Sequence, residues 1–93
     1  MGNELSTLDQ KLKQVLWACN YYWKSEPLPE HEKAICHSWV VKVYHERFGE
    51  SFHPLKLRQL ARLGFLEPME TARAGGRRYY RIVNPQDPSS ILE

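Results

Sequence analysis

The stretch from Leu57 to Val83 constrains the fold more than any other part of this chain. It begins with leucines at helical spacing, stops at Gly64, and continues as two apolar runs separated by Gly75-Gly76. This pattern predicts a short amphipathic helix, a glycine stop, and a β-hairpin whose paired glycines supply the positive φ angles of a tight turn. Basic residues occur in both the helix and the turn, an arrangement that suits contact with a nucleic-acid duplex.

The length and composition indicate one small domain, residues 1–93. Hydrophobic residues make up 42% of the chain and charged residues 26%, which is typical of a soluble globular protein. No apolar run approaches the roughly 18 residues of a membrane span, and the N-terminus lacks the basic and apolar regions of a signal peptide. We therefore expect a cytoplasmic protein with no membrane partner. In that compartment Cys19 and Cys36 are expected to be buried free thiols.

Positive charge is concentrated in one part of the chain. Residues 47–81 contain eight Lys/Arg and three Asp/Glu, whereas residues 1–46 contain five and six, and residues 82–93 contain none and two. Such an asymmetry is typical of a surface that binds nucleic acid, although a basic solvated surface has the same charge pattern.

A first helix is predicted over residues 5–24. Ser6 is the expected N-cap, with Asp9 three residues later in a weak capping box. Apolar residues recur at steps of three and four and form one buried stripe. Trp17 and Tyr21 fall on an adjoining face, where they line a subunit interface, line a ligand pocket, or simply add packing area.

After a proline-rich break, a second helix is expected within 30–48. The sequence allows two positions for its start. Either residues 33–37 belong to the helix, or they form a short extended segment and Ser38 is the N-cap. Gly49 is the expected C-terminal stop.

The third helix is expected over 52–63. Ser51 or His53 caps it, and Pro54 lies in the first turn, where a missing N–H costs nothing. One face is predicted to carry Leu57, Leu60, Ala61 and Gly64, and the opposite face Leu55, Lys56, Arg58, Gln59 and Arg62.

The hairpin is expected over 65–83. Pro68 marks an edge or the end of the first strand. In the return strand, Tyr80 and Ile82 are predicted to point inward and Tyr79 and Arg81 outward. Residues 84–93 are expected to form a loose tail that Ile91 and Leu92 pin down.

The motif Leu57-x-x-Leu60-x-x-x-Gly64-Phe65-Leu66, followed by the run from Gly75 to Ile82, resembles that of small prokaryotic winged-helix transcription regulators of the MarR and ArsR kind. The resemblance spans roughly residues 30–83. It implies an α+β fold, namely a three-helix winged helix-turn-helix domain with a C-terminal two-stranded wing. The chain departs from the pattern in a long second helix and in His53-Pro54, where small polar residues are commoner.

The resemblance implies a homodimeric transcription regulator that binds double-stranded DNA. The third helix of such a domain lies in the major groove, where Arg58 and Arg62 suit guanine, Gln59 suits adenine, and Lys56 suits phosphate. An exposed helix face that is merely solvated is the alternative.

The hairpin tip carries three further arginines. Held in a minor groove or against its phosphates, they would exploit the negative potential there. The alternative is that they keep an exposed hairpin soluble. The candidate tip residues are Arg73, Arg77 and Arg78.

Trp17 and Tyr21 are the candidate dimer surface. A winged-helix fold does not by itself fix function. The aromatic residues in excess of what the core needs favour an alternative function, a winged-helix protein–protein interaction module within a larger assembly and without DNA binding. The sequence identifies no small-molecule effector.

No enzyme and no cofactor are expected. The chain lacks a phosphate-binding glycine loop, a nucleophile elbow and a paired-acid pocket. Several metal-ligating residue types lie close in sequence, but without a Cys-x-x-Cys pair or a His-x₃-His step, and packing or surface roles are favoured for them. They are His31, Cys36, His37, His45 and His53.

Overall fold

The computed structural model describes residues 8–69 and 78–92 of the chain. The protein is a small α+β domain with three helices and a two-stranded antiparallel sheet. In chain order the elements are α1 (Gln10–Ser25), α2 (His37–Phe48), α3 (Leu55–Arg62), β1 (Leu66–Pro68) and β2 (Tyr80–Ile82). Their buried side chains form one hydrophobic core.

The first helix begins later than predicted. The Asp9 backbone is extended, with φ −76° and ψ 175°, and its carboxylate accepts a hydrogen bond from the backbone N–H of Leu12 at 2.8 Å. Asp9 is therefore the N-cap itself and not the third residue of a capping box. Ser6, the predicted cap, lies outside the described residues. The predicted apolar stripe is confirmed, since Val15, Leu16 and Cys19 are all buried.

The second helix begins at His37. The extended alternative therefore describes residues 33–36, and His37, which it included, is already helical. Within this segment, the N–H and C=O of Ile35 each form a hydrogen bond of 2.9 Å with the backbone of Tyr80. Ile35 therefore forms an isolated antiparallel β-bridge to β2. The N-cap is Cys36 rather than Ser38. At the other end the prediction is confirmed: Gly49 adopts φ +73° and closes the helix.

The turn between α2 and α3 is fixed by side chains. Nδ1 of His53 accepts a hydrogen bond from the backbone N–H of Leu55 at 3.1 Å, so His53, and not Ser51, satisfies the start of α3. Pro54 occupies the N-cap position, and the helix is shorter than the predicted 52–63.

The end of α3 is a Schellman motif. The N–H of Phe65 bonds to the C=O of Leu60 at 2.9 Å, the N–H of Gly64 bonds to the C=O of Ala61 at 3.1 Å, and Gly64 has φ +92°. Leu60 and Phe65 are both buried, so the motif turns the chain from α3 directly into the sheet.

The strands β1 and β2 pair in the antiparallel sense that a hairpin requires, with Leu66 opposite Ile82 and Pro68 opposite Tyr80. Tyr80 and Ile82 are buried, as expected from the alternation. Tyr79, predicted to face outward, is half-buried, because its ring contacts that of Trp39 at 5.6 Å between centroids.

The C-terminal tail is packed rather than loose. Asp87 caps a short 3₁₀ turn over Pro88–Ser90, and Ile91 is buried in the core. Leu92 is half-buried. The tail therefore covers one side of α1.

Candidate nucleic-acid interface

The third helix has one buried face and one exposed face. Leu57 and Leu60 are buried in the core, whereas Arg58, Gln59 and Arg62 are exposed. At 3.6 residues per turn, positions 58 and 62 are neighbours on one face and position 59 flanks them. Three of the four residues predicted for this surface thus lie together.

Lys56, the fourth, is half-buried at the edge of this face. A lysine in such a position packs its methylene chain against apolar neighbours and keeps its ammonium group in solvent. Lys56 is therefore a candidate for contact with a phosphate beside the helix, whereas the two arginines lie on its fully exposed face.

The two arginines of α3 have no ion-pair partner within residues 8–69 and 78–92. Leu55 and Leu63, which are 51% and 45% exposed, lie next to them. The exposed face of α3 therefore combines unpaired guanidinium groups, a carboxamide and apolar contact area. Leu63 was not predicted for this face, because the sequence pattern places it only at the end of the helix.

Three contacts fix the turn that leads into α3. The Nζ atom of Lys11 lies 3.2 Å from Oε1 of Glu50 and donates to the C=O of Ser51 at 3.2 Å, which joins α1 to the α2–α3 turn. The proximity of Tyr44, and after it the interaction with Glu50, raises the pKa of Lys11. Across the same turn, Nε2 of His37 lies 2.7 Å from the C=O of Phe52.

Of the three predicted wing residues, Arg78 is exposed and lies two residues before β2. Arg73 and Arg77 lie outside the described residues. On the sheet itself, Arg81 lies 3.9 Å from Glu67 of the opposite strand, so its charge is partly offset. Within the described part of the hairpin, Arg78 is therefore exposed and has no ion-pair partner.

The aromatic surface of α1 lies apart from these basic side chains. Trp17 and Tyr21 stack with ring centroids 5.1 Å apart, and the guanidinium group of Arg47 lies 5.4 Å from the Trp17 ring. Together with Leu92 of the tail they line a concavity of about 650 Å³. The predicted dimer residues therefore share a concave surface with the C-terminal tail.

No group of three or more His, Cys, Asp or Glu side chains in the part of the chain that the structure describes could hold a metal ion. Cys19 and Cys36 are buried free thiols, as predicted, and burial raises the pKa of Cys19.

None of the described helices is both long enough and apolar enough to cross a lipid bilayer.

No protein-family model, no curated protein and no solved structure matches the chain.

Proposed function

We propose that this protein is a transcription regulator that binds double-stranded DNA, with α3 in the major groove and the basic hairpin on the adjacent backbone. One observation carries the proposal: Arg58 and Arg62 are exposed and unpaired within the described residues, on a helix whose opposite face is fixed in the core. Gln59 adds a side chain that can pair with adenine.

The dimensions of α3 support this docking mode. An α-helix with its side chains is about 10–12 Å in diameter, and the major groove is about 12 Å wide. The exposed face of α3 would therefore fit within the groove, and Lys56 at its edge would reach a phosphate.

The order of elements also supports a winged-helix domain. The bridge at Ile35 lies between α1 and α2, and the hairpin follows α3 directly. This order brings the strands β1 and β2 next to α3, the helix proposed for base contact. It agrees with the resemblance to the MarR and ArsR regulators.

We further propose that the regulator is a homodimer formed through Trp17 and Tyr21. A single domain of this kind buries only about 600–1,000 Å² on DNA, so two copies would provide the contacts that operator binding requires. The exposed ring of Tyr21 and the concavity beside it offer apolar area for a second copy.

The same aromatic surface favours the second candidate function, a protein-interaction module that does not bind DNA. Aromatic residues and arginine are enriched in protein interfaces, and Trp17, Tyr21 and Arg47 supply both. The two functions differ in whether the α3 face is used.

Fluorescence anisotropy with a mixed-sequence duplex tests the proposal. The protein should bind at 50 mM salt, and log K should fall with log salt by about 0.9 for each phosphate contacted. Absence of binding at low salt would exclude the DNA-binding function and leave the protein-interaction module.

A further inference from the structure

A second concavity lies between the proline-rich segment after α1, the N-terminal half of α2 and the sheet. Its volume is about 370 Å³, within the range of small-ligand pockets. It is separate from both the α3 face and the Trp17 surface. Its side-chain walls include Glu26, Leu28, Glu32, Trp39, Met69 and Tyr79.

Two aromatic side chains, Trp39 and Tyr79, line this cleft. The Trp39 ring stacks on that of Tyr22 with centroids 5.7 Å apart and an angle of 20° between planes. The centroid of the Tyr79 ring lies 5.6 Å from that of the Trp39 ring, and the two ring planes are inclined by 55°. Because Trp39 and Tyr79 are not coplanar, they give the cleft two differently oriented rings, and the face of each carries negative electrostatic potential.

The charged residues of the cleft are of one sign. Glu26 and Glu32 line it, and no Lys or Arg of the described residues does so. The hydroxyl of Tyr22 donates to Oε2 of Glu26 at 3.2 Å, which holds that carboxylate beside the aromatic rings. In a protein of formal net charge +2, this cleft is a local concentration of negative charge.

Two nearby groups have the opposite charge or can acquire it. Nε2 of His31 lies 3.6 Å from Oε2 of Glu32, and it carries a charge only when protonated. Arg78 precedes Tyr79 and is exposed. Neither side chain lines the cleft, so both carboxylates remain available to a ligand.

We propose that this cleft binds a quaternary ammonium group. Aromatic faces attract an organic cation, and the two carboxylates add charge attraction. Leu28 and Met69 offer apolar and polarisable contact to the methyl groups of such a cation, which a compact, strongly hydrated ammonium would not use. The ligand is either a small molecule or a trimethylated lysine side chain, since both carry the same head group.

Choline and its uncharged isostere, 3,3-dimethylbutanol, test the role of charge. Both are titrated into the ¹⁵N-labelled protein, which contains three Trp residues and so three indole N–H signals. The signal that disappears in Trp39→Phe should be the one that choline shifts, and choline should bind about tenfold more tightly than the isostere. Equal binding of the two compounds, or no binding of choline, would overturn the proposal.

Charge variants provide the second test. Glu32 is exposed, so Glu32→Gln removes a charge without disturbing the core, and it should weaken choline binding about threefold. Glu46→Gln is the matched control, because Glu46 is an exposed carboxylate of α2 that does not line the cleft. Equal weakening of choline binding by the two variants would show that choline responds only to the overall charge of the protein, and it would contradict the proposed site.

A peptide with one trimethyl-lysine distinguishes the two sources of the head group. Binding at least about tenfold tighter than that of choline, and lost in the unmethylated peptide, would identify a modified protein as the ligand. Tighter binding of choline would identify a small molecule. Binding of the unmethylated and trimethylated peptides with equal affinity would contradict the proposed preference for a quaternary ammonium.

Discussion

The side-chain oxygen of Asn20 accepts a hydrogen bond from the backbone N–H of Gln86 at 2.7 Å, and this contact joins α1 to the C-terminal tail. The Nδ2 atom of the same side chain donates to the C=O of Leu16 at 3.0 Å. Asn20 is only 2% exposed, so a polar side chain inside the core has both ends satisfied. The contact sets where the tail leaves the sheet, and Ile91 then reaches the core.

Asn20→Leu should therefore destabilise the fold despite the similar side-chain size. The substitution leaves the Gln86 N–H without its acceptor, which costs about 1–3 kcal/mol of unfolding free energy. Urea unfolding measures the change. Asn84→Leu is the control, because Asn84 is exposed, and equal stabilities of the two variants would contradict the role of Asn20.

Gly49→Ala tests the left-handed end of α2. A Cβ at this position would meet nothing within 4 Å, so the whole effect should come from the positive φ of +73°. The expected cost is about 1–2 kcal/mol. Gly49→Asn should cost less, because Asn tolerates this conformation better, and thermal unfolding of the pair compares them. Identical values for Ala and Asn would contradict this explanation.

The ionised carboxylate of Asp87 should stabilise the folded protein at neutral pH and lose this effect in acid. Hydrogen bonds from the N–H and hydroxyl of Ser89, and then the charge of Lys24, lower its pKa from the ordinary 3.8. A group whose pKa is lowered by folding stabilises the native state above its unfolded-state pKa and loses that contribution as the pH falls through the folded-state pKa. Asp87→Asn should therefore be less stable than the parent at pH 7, and the difference should vanish well below pH 3.8. A difference that does not change with pH in urea unfolding would contradict this.

The parts of the fold that depend on local sequence were predictable. The spacing of Leu57 and Leu60 determines which face of α3 is buried, and the hydrophobic alternation in the return strand determines that Tyr80 faces the core. Gly49 ends α2 because few other residues adopt its backbone conformation. The spacing that buries Leu57 and Leu60 also places Arg58 and Arg62 on the opposite, exposed face of α3.

The remainder depends on contacts between distant parts of the chain. The bridge between Ile35 and Tyr80 gives residues 33–36 an extended conformation that their own sequence does not dictate. Trp39 covers Tyr79, which the alternation alone would place in solvent. At the start of α1, Ser6 and Asp9 are both residue types that cap helices well, so the sequence alone does not decide between them, and in the structure Asp9 is the N-cap.

Tyr21→Glu tests the proposed homodimer. The Tyr21 ring is 48% exposed, so a charge there should leave the fold intact but disfavour burial against a second copy. Sedimentation at high protein concentration should give a dimer for the parent and a monomer for the variant. Val83→Glu is a control of similar exposure, 50%, outside this surface, and a monomeric parent would exclude the dimer.

Arg58→Ala and Arg62→Ala test base contact by α3. On a duplex obtained by selection from random sequences, each should weaken binding by about 1–3 kcal/mol and relax the preference at one base position, because a bidentate arginine–guanine pair is lost.

Lys42→Ala is the matched control for the two arginine variants, since it removes one exposed positive charge from α2. It should change affinity equally for all sequences, through the salt-dependent term alone. If the two arginine variants behave like this control, then α3 contacts only the phosphate backbone. In that case the positive charge of residues 47–81 would hold the protein on DNA without selecting a site.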